Sequence, residues 1–311
     1  MKLKMLTALF LTAVIITSCN KEKEEPHRIF VDLPSFMEAK KPQSQFFTIN
    51  AESGGTITGD AGTVITFPAK AFKNSDGMNI SGNVQIELKE IFDNTSMIFS
   101  GVFPVSGGKI LNSGGEYYIN VMQSGEALLI KENKHYSLTL PAQAVDPGMI
   151  FYKGAELDGS INWTAVSSTI DSANVYDLFT YNSLDNSYSI LTDSIGWCNC
   201  DAFPELPTLN VSIEISGVDG TDLTNTVAFA VLDDENAAFD FYQYAAVDEN
   251  TVRIFSNSVP ATKMHLVVVS VVNESLYFEI LEIDPDADAE YEISLSAGTE
   301  AALDAAILAL P

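Results

Sequence analysis

The stretch Val84-Gln85-Ile86-Glu87-Leu88-Lys89 decides the fold class, because apolar and polar residues alternate with the period of a strand that has one buried and one wet face. The same alternation returns at Tyr117, Ile119 and Val121, at Tyr136, Leu138 and Leu140, and at Val211, Ile213 and Ile215. Glycine-bearing segments stand between such runs at hairpin-like spacing and read as turns: Ser53-Gly54-Gly55, Ser106-Gly107-Gly108 and Ser113-Gly114-Gly115. Met264 to Val272 is apolar on both faces and reads as a strand inside a sandwich. Helical periodicity is nearly absent. Its exception is the alanine-rich tail, where Leu303, Ile307 and Leu310 fall on one face of a short segment expected to cap the last sheet. The pattern predicts an all-β chain of two β-sandwich-like domains in series.

Working outward, the N-terminus carries an address. Met1-Lys2-Leu3-Lys4 is a short basic start, Met5 to Ile16 is almost wholly apolar, and Ile16-Thr17-Ser18-Cys19 follows. An apolar run of about a dozen residues is too short to span a bilayer, which needs roughly 20. The arrangement resembles the bacterial lipobox, which implies cleavage before Cys19 and lipidation of its thiol. Acyl chains on one cysteine hold a protein at a membrane, since each buried methylene contributes about 0.8 kcal/mol. Residues 1–18 are therefore expected to be a lipoprotein signal peptide and 19–45 a lipidated tether, opening with the solvated run Asn20-Lys21-Glu22-Lys23-Glu24-Glu25-Pro26. Lysine followed by acids just after the cysteine resembles the signal that sends some Bacteroidetes lipoproteins to the outer face of the outer membrane. A plain charged linker has the same composition, so the expected location is the outer membrane, surface-exposed or periplasm-facing.

The chain of 311 residues has a formal charge of −26, which becomes −28 once residues 1–18, with Lys2 and Lys4, are removed. The excess is uneven. From Gly154 onward only Arg253 and Lys263 face 27 acids. Such a surface repels nucleic acid and anionic lipid, and attracts cations or basic partners. It also serves solubility alone.

Two prolines in Phe203-Pro204-Glu205-Leu206-Pro207 interrupt the strand pattern and suggest a boundary. The expected division is a β domain over 46–165, a connecting segment over 166–207 and an acidic C-terminal sandwich over 208–311. Within the connecting segment, Trp197 and Cys200 are expected to form a structural joint, with Trp197 burying apolar surface against the first domain. Cys198 and Cys200 sit two apart, so in a strand they share a face. A disulfide between them would be strained. His27, His135 and His265 supply no clustered third ligand for a thiolate metal site, which leaves the pair a structural reading and its oxidation state open.

The segments Gly54-Gly55-Thr56-Ile57 and Gly62 to Phe72 resemble the opening of the β domain shared by zonula occludens proteins, netrin receptors and ankyrins. More closely, the chain resembles a group of Bacteroidetes envelope proteins. The likeness rests on Val84 to Ile91, Leu111-Asn112-Ser113-Gly114-Gly115, Gly148-Met149-Ile150-Phe151, Ile161-Asn162-Trp163 and the Gly-Trp-x-Asn-Cys-Asp segment Gly196 to Asp201, with Cys200 as the family cysteine. Cys198 departs from the aliphatic residue usual there, and Ala202 from an arginine. The resemblance spans roughly Ile49 to Phe203 and implies a β-sandwich interaction module; partners do not transfer with it.

Three further stretches invite chemistry. His135-Tyr136-Ser137 matches the sequence at which some relatives of this domain cleave themselves by serine attack on the preceding carbonyl, although strand alternation explains the same residues. Asp284, Asp286, Asp288 and Glu290 place carboxylates at alternating positions, as a calcium ion favours, but lack the glycine and bidentate glutamate of a helix-loop-helix site. Otherwise they form an acidic turn between Tyr277–Ile283 and Tyr291–Leu295. Phe239 to Tyr244 mixes aromatic and polar groups, and Tyr242 and Tyr244 could stack on sugar rings. Asp171-Ser172-Ala173 and Asp193-Ser194-Ile195 resemble Bacteroidetes O-glycosylation sites. No catalytic motif is present and no cofactor is expected beyond calcium. The expected function is a non-enzymatic binding or scaffolding lipoprotein of the envelope, membrane-held by its lipid, with an envelope protein as partner. The alternative is a glycan-binding accessory lipoprotein.

Overall fold

The computed structural model describes residues 30–311 except 143–144, 158, 167–168, 172–173, 177 and 287–288. It is all-β, with three short helices. Four large sheets stack in two sandwiches.

In the first sandwich, the inner sheet runs in the order Gln45–Asn50, Asn83–Ile91, Asn112–Gln123, Gly196–Ala202, Ile150–Leu157, Ser160–Ala165, with each neighbouring pair antiparallel. Its outer sheet runs Leu178–Asn182, Ser187–Thr192, Tyr136–Pro141, Val64–Phe67, Gly55–Thr58. The alternating apolar faces meet between them: Val84, Ile86, Leu88, Tyr117, Ile119 and Val121 from one sheet, Ile65, Tyr136, Leu138 and Leu140 from the other. Each large apolar side chain buried there contributes about 1.5–3 kcal/mol.

The second sandwich pairs an outer sheet, Gln243–Asp248, Thr251–Pro260, Thr208–Ser216, Ala289–Ser294, with an inner sheet, Ala238–Asp240, Thr226–Leu232, Met264–Val272, Ser275–Ile283, Ser296–Ala297. Ala289–Ser294 lies parallel to Thr208–Ser216. The acidic stretch before it is therefore a crossover between sheets and not the expected turn joining neighbouring strands. Val211, Ile213 and Ile215 pack onto Ala228, Ala230, Leu266 and Val268.

The two inner sheets face each other, and a third apolar layer fills the space. Ile91, Leu111, Tyr152 and Trp163 come from the first sandwich, and Phe229, Val231, Val267, Val269 and Val271 from the second. Met264–Val272 is thus buried on both faces, which is why its sequence shows no polar side. Three helices complete the layer: α1 (Leu33–Lys40) inserts Leu33 and Phe36, α2 (Asn94–Ser100) inserts Met97, Ile98 and Phe99, and α3 (Glu300–Leu308) inserts Leu303 and Ile307. The first two begin with the same device. Asp32 accepts the Ser35 N–H at 2.8 Å, and Asp93 accepts the Ser96 N–H at 2.7 Å, each serine returning a bond to the cap backbone.

Three expectations are corrected here. The supposed tether over 19–45 contains α1, docked in the shared layer through Phe36. The supposed connecting segment over 166–207 supplies Leu178–Asn182, Ser187–Thr192 and Gly196–Ala202 to the sheets of the first sandwich, the last of them at the centre of its inner sheet. Ser113-Gly114-Gly115 lies inside the strand Asn112–Gln123 and is not a turn. Among the described residues no helix is long and apolar enough to cross a membrane.

Candidate functional site

Two places in this architecture carry unusual chemistry. The first is a cleft of about 290 Å³ between the sandwiches. Phe103, Ile110 and Ile161 of the first sandwich and Phe239 of the second form its apolar walls. Leu157 and Tyr242 also line it and are 63% and 68% exposed. Ser160, Asn162, Asp240 and Ser258 add polar groups to the same lining. Asp240 opens to solvent through the cleft, yet the surrounding protein pushes its carboxyl above the usual carboxylate range. A concave apolar seat with a few polar groups is the ordinary form of a binding site.

The second is a buried polar cluster on the face of the first inner sheet that looks toward the shared layer. Tyr117, Cys198 and Cys200 point into the first core. Their strand neighbours Glu116, Asn199 and Asp201 therefore point the other way. Register sets Asn199 opposite Glu116 on one side and opposite Tyr152 on the other, while Asp201 stands opposite Ser113 across a β-bulge. Glu116, Asn199, Asp201 and Tyr152 are all 0% exposed. Gly115 donates its N–H to Ser113 Oγ at 3.0 Å, Ser113 Oγ contacts Asn199 Oδ1 at 3.4 Å, and Asn199 Nδ2 donates to Asp201 Oδ2.

Glycine makes the bulge possible. A Cβ on Gly114 would lie 2.7 Å from the Cys200 carbonyl oxygen, and Gly115, at φ +123°, has no room for one against the Phe92 ring. The second sandwich reaches the Ser113 end of the cluster through Asn236. Its N–H donates to Asn112 Oδ1 at 3.1 Å, its side chain donates to the Ser113 and Phe92 carbonyls at 2.8 and 3.3 Å, and its carbonyl accepts the Ser113 N–H at 2.9 Å.

The electrostatics of the cluster are unbalanced. Both oxygens of Glu116, Oδ1 of Asp201 and the Tyr152 hydroxyl have no partner in full hydrogen-bond geometry, although Ser113 and the Glu116 N–H lie near enough to the Glu116 carboxyl to favour its charged form weakly. Among the described residues no lysine, arginine or histidine forms an ion pair with either carboxyl. Burial pushes the Glu116 carboxyl far up, and the neighbouring Asp201 charge adds to it. Burial likewise raises Asp201, only partly offset by bonds from Ser113, the Gly114 N–H and Asn199. The Tyr152 phenol is pushed up to about 12 by burial and by Asp201.

The residues singled out from the sequence are dispersed. Tyr242 lines the cleft, whereas Tyr244 packs against the second core and burial pushes its phenol up to about 12. Asp284 and Asp286 are exposed between sheets, Glu290 is exposed on the strand paired with Thr208–Ser216, and Asp288 lies outside the described residues. Among the described residues no three His, Cys, Asp or Glu side chains gather as a metal-holding group. Cys19 and Ser172 also lie outside the described residues. Ser194 is partly buried, and its carbonyl accepts the Tyr136 hydroxyl at 2.5 Å.

Tyr136 is buried and Ser137 exposed in a strand paired on both sides, and no left-handed backbone marks residues 135–137. The strain that self-cleavage requires is not seen there. Cys198 and Cys200 are buried and form no disulfide, and burial raises the Cys200 thiol, which makes it unreactive. Trp197 is only half-buried, against Tyr118 at 5.2 Å and Trp163 at 6.4 Å. The fully buried tryptophan is Trp163, 1% exposed. Both tryptophans meet in the layer between the sandwiches, Trp163 within it and Trp197 packed against it. Sequence reasoning missed Glu116 and Asp201 as a pair, although Gly114-Gly115 and the Asn-Cys-Asp segment were the signals that lead to them.

No protein-family model matches the chain, and no curated protein shows significant similarity to it.

Proposed function

We propose that the chain is a non-enzymatic binding lipoprotein of the bacterial cell envelope, anchored in the outer membrane through Cys19, which holds another envelope protein by a side chain seated in the cleft between its sandwiches. The observation that carries this reading is the pairing of exposed Leu157 and Tyr242 over buried Phe239, with one wall from each sandwich. Its volume sits at the small end of the usual range of about 300–1,000 Å³, which suits one aromatic or aliphatic anchor of a partner. The resemblance of Ile49 to Phe203 to Bacteroidetes envelope proteins supports the same location and module type.

The test uses intact cells. Crosslinking and capture with the wild-type chain and with Tyr242→Ala should show the captured partner falling about tenfold or more in the variant, as expected for an aromatic anchor. Unchanged capture with an unchanged melting curve overturns the assignment of the cleft. Cys19→Ala should move the chain from the membrane to the soluble fraction, and retention at the membrane without an acyl group on Cys19 overturns the anchor.

One observation favours a second reading, glycan binding. Tyr242 offers an exposed ring beside Asn162, Asp240 and Ser160, a platform and hydroxyl partners together. A glycan titration saturable by wild type and lost in Tyr242→Ala, with no protein captured, selects that reading.

A further inference from the structure

The Glu116–Asp201 cluster has no part in the cleft, and its arrangement calls for a missing charge. Two carboxyls are fully buried with three oxygens lacking a partner in full hydrogen-bond geometry, and the groups beside them, Ser113, Asn199 and Tyr152, offer only neutral atoms. A polar group left buried without a partner costs free energy, and an uncompensated buried charge costs more. The Tyr152 hydroxyl is a further buried, unpartnered oxygen on the same cross-strand row.

We propose that Glu116 and Asp201, with the side-chain oxygens of Asn199 and Ser113, hold one calcium ion that fastens the first inner sheet beneath the Asn236 hairpin. The donor set consists of oxygen alone, which suits a hard cation and not zinc or copper. Two carboxylates balance the charge of a divalent ion. Calcium accepts about 6–8 oxygens in irregular geometry, whereas magnesium demands a near-octahedral shell and keeps several waters, for which a packed, sealed site is unsuited. Ser113, one of the four residues named, is also bonded through its backbone to Asn236 of the second sandwich.

The experiment uses the full chain in detergent. Melting is followed in millimolar calcium and in chelator at matched ionic strength, for wild type, for Glu116→Gln/Asp201→Asn and for Asp284→Asn/Glu290→Gln. Wild type and the third variant should melt higher in calcium, and the second should show no shift. Terbium bound at the site should be sensitised by Tyr152 and the nearby tryptophans, and its binding should weaken by about a hundredfold or more in Glu116→Gln/Asp201→Asn. The neutral isosteres remove the buried charge, so folding in chelator keeps that variant usable. No calcium shift in wild type, a shift retained by Glu116→Gln/Asp201→Asn, or a shift lost only in Asp284→Asn/Glu290→Gln would each overturn the proposal.

Discussion

Trp163→Ala should lower unfolding free energy by about 3–5 kcal/mol, a large part of the roughly 5–15 kcal/mol that holds a typical domain together. The ring is 1% exposed in the layer shared by both sandwiches, and its Nε1–H donates to the Phe103 carbonyl at 2.8 Å. The strand opposite accommodates it with a glycine, since a Cβ on Gly154 would lie 2.7 Å from the ring. Truncation leaves a cavity and takes away one of the two hydrogen bonds to that carbonyl, which still accepts the Val105 N–H at 2.8 Å. Trp197→Ala, half-buried and edge-on to Trp163, should cost clearly less. Denaturant titration of both variants decides the order; equal midpoints for wild type and Trp163→Ala would show that the shared layer does not depend on this residue.

The second large effect is a dependence of stability on pH in the presence of chelator. Glu116 and Asp201 have folded values raised above the unfolded ones of about 4. The stability they contribute is therefore complete below about pH 4 and is lost as pH rises through the folded values, at up to about 1.4 kcal/mol per pH unit for each carboxyl while it titrates. Beside them, burial keeps Tyr152 and Cys200 neutral across this window. Glu235, next to Asn236, is also raised, chiefly by burial, and adds to the slope with the same sign. Comparing wild type with Glu116→Gln/Asp201→Asn across pH 4 to 8 isolates the pair. The variant should be the more stable at the upper end, and parallel curves would mean that the pair does not titrate on unfolding.

Most of the strand content was legible because period-two alternation is local: the faces read at Tyr117, Tyr136 and Val211 are the faces found buried. What periodicity cannot convey is whether the opposite face is wet. Glu116 alternates with Tyr117 as a solvent-facing residue would, yet it is fully buried, on the face it shares with Ile91 of the layer between the sandwiches. Gly114-Gly115 reads as a turn for a sound reason, since glycine is the usual turn residue, but here its freedom serves close approach between two central strands. The short helices α1 and α2 escape a periodicity search, yet Asp32 and Ser35, and Asp93 and Ser96, are capping boxes that could have been read. Likewise, the alternation of Gly196 to Asp201 leaves open that this segment is a sheet's central strand, because the partners that make it so are distant in sequence.

The double burial of Met264–Val272 bears on how such chains diverge. An outer strand can exchange its wet residues freely and drift until little of its sequence is recognisable. This strand has no side on which to drift: a polar replacement at Val267 enters one core and at Val268 another. Its one central hydroxyl, Ser270, is held by Thr226 and the Asn225 carbonyl at 3.0 and 2.9 Å. A search for distant relatives is therefore best anchored on this run of nine residues, where burial on both faces leaves the fewest substitutions open.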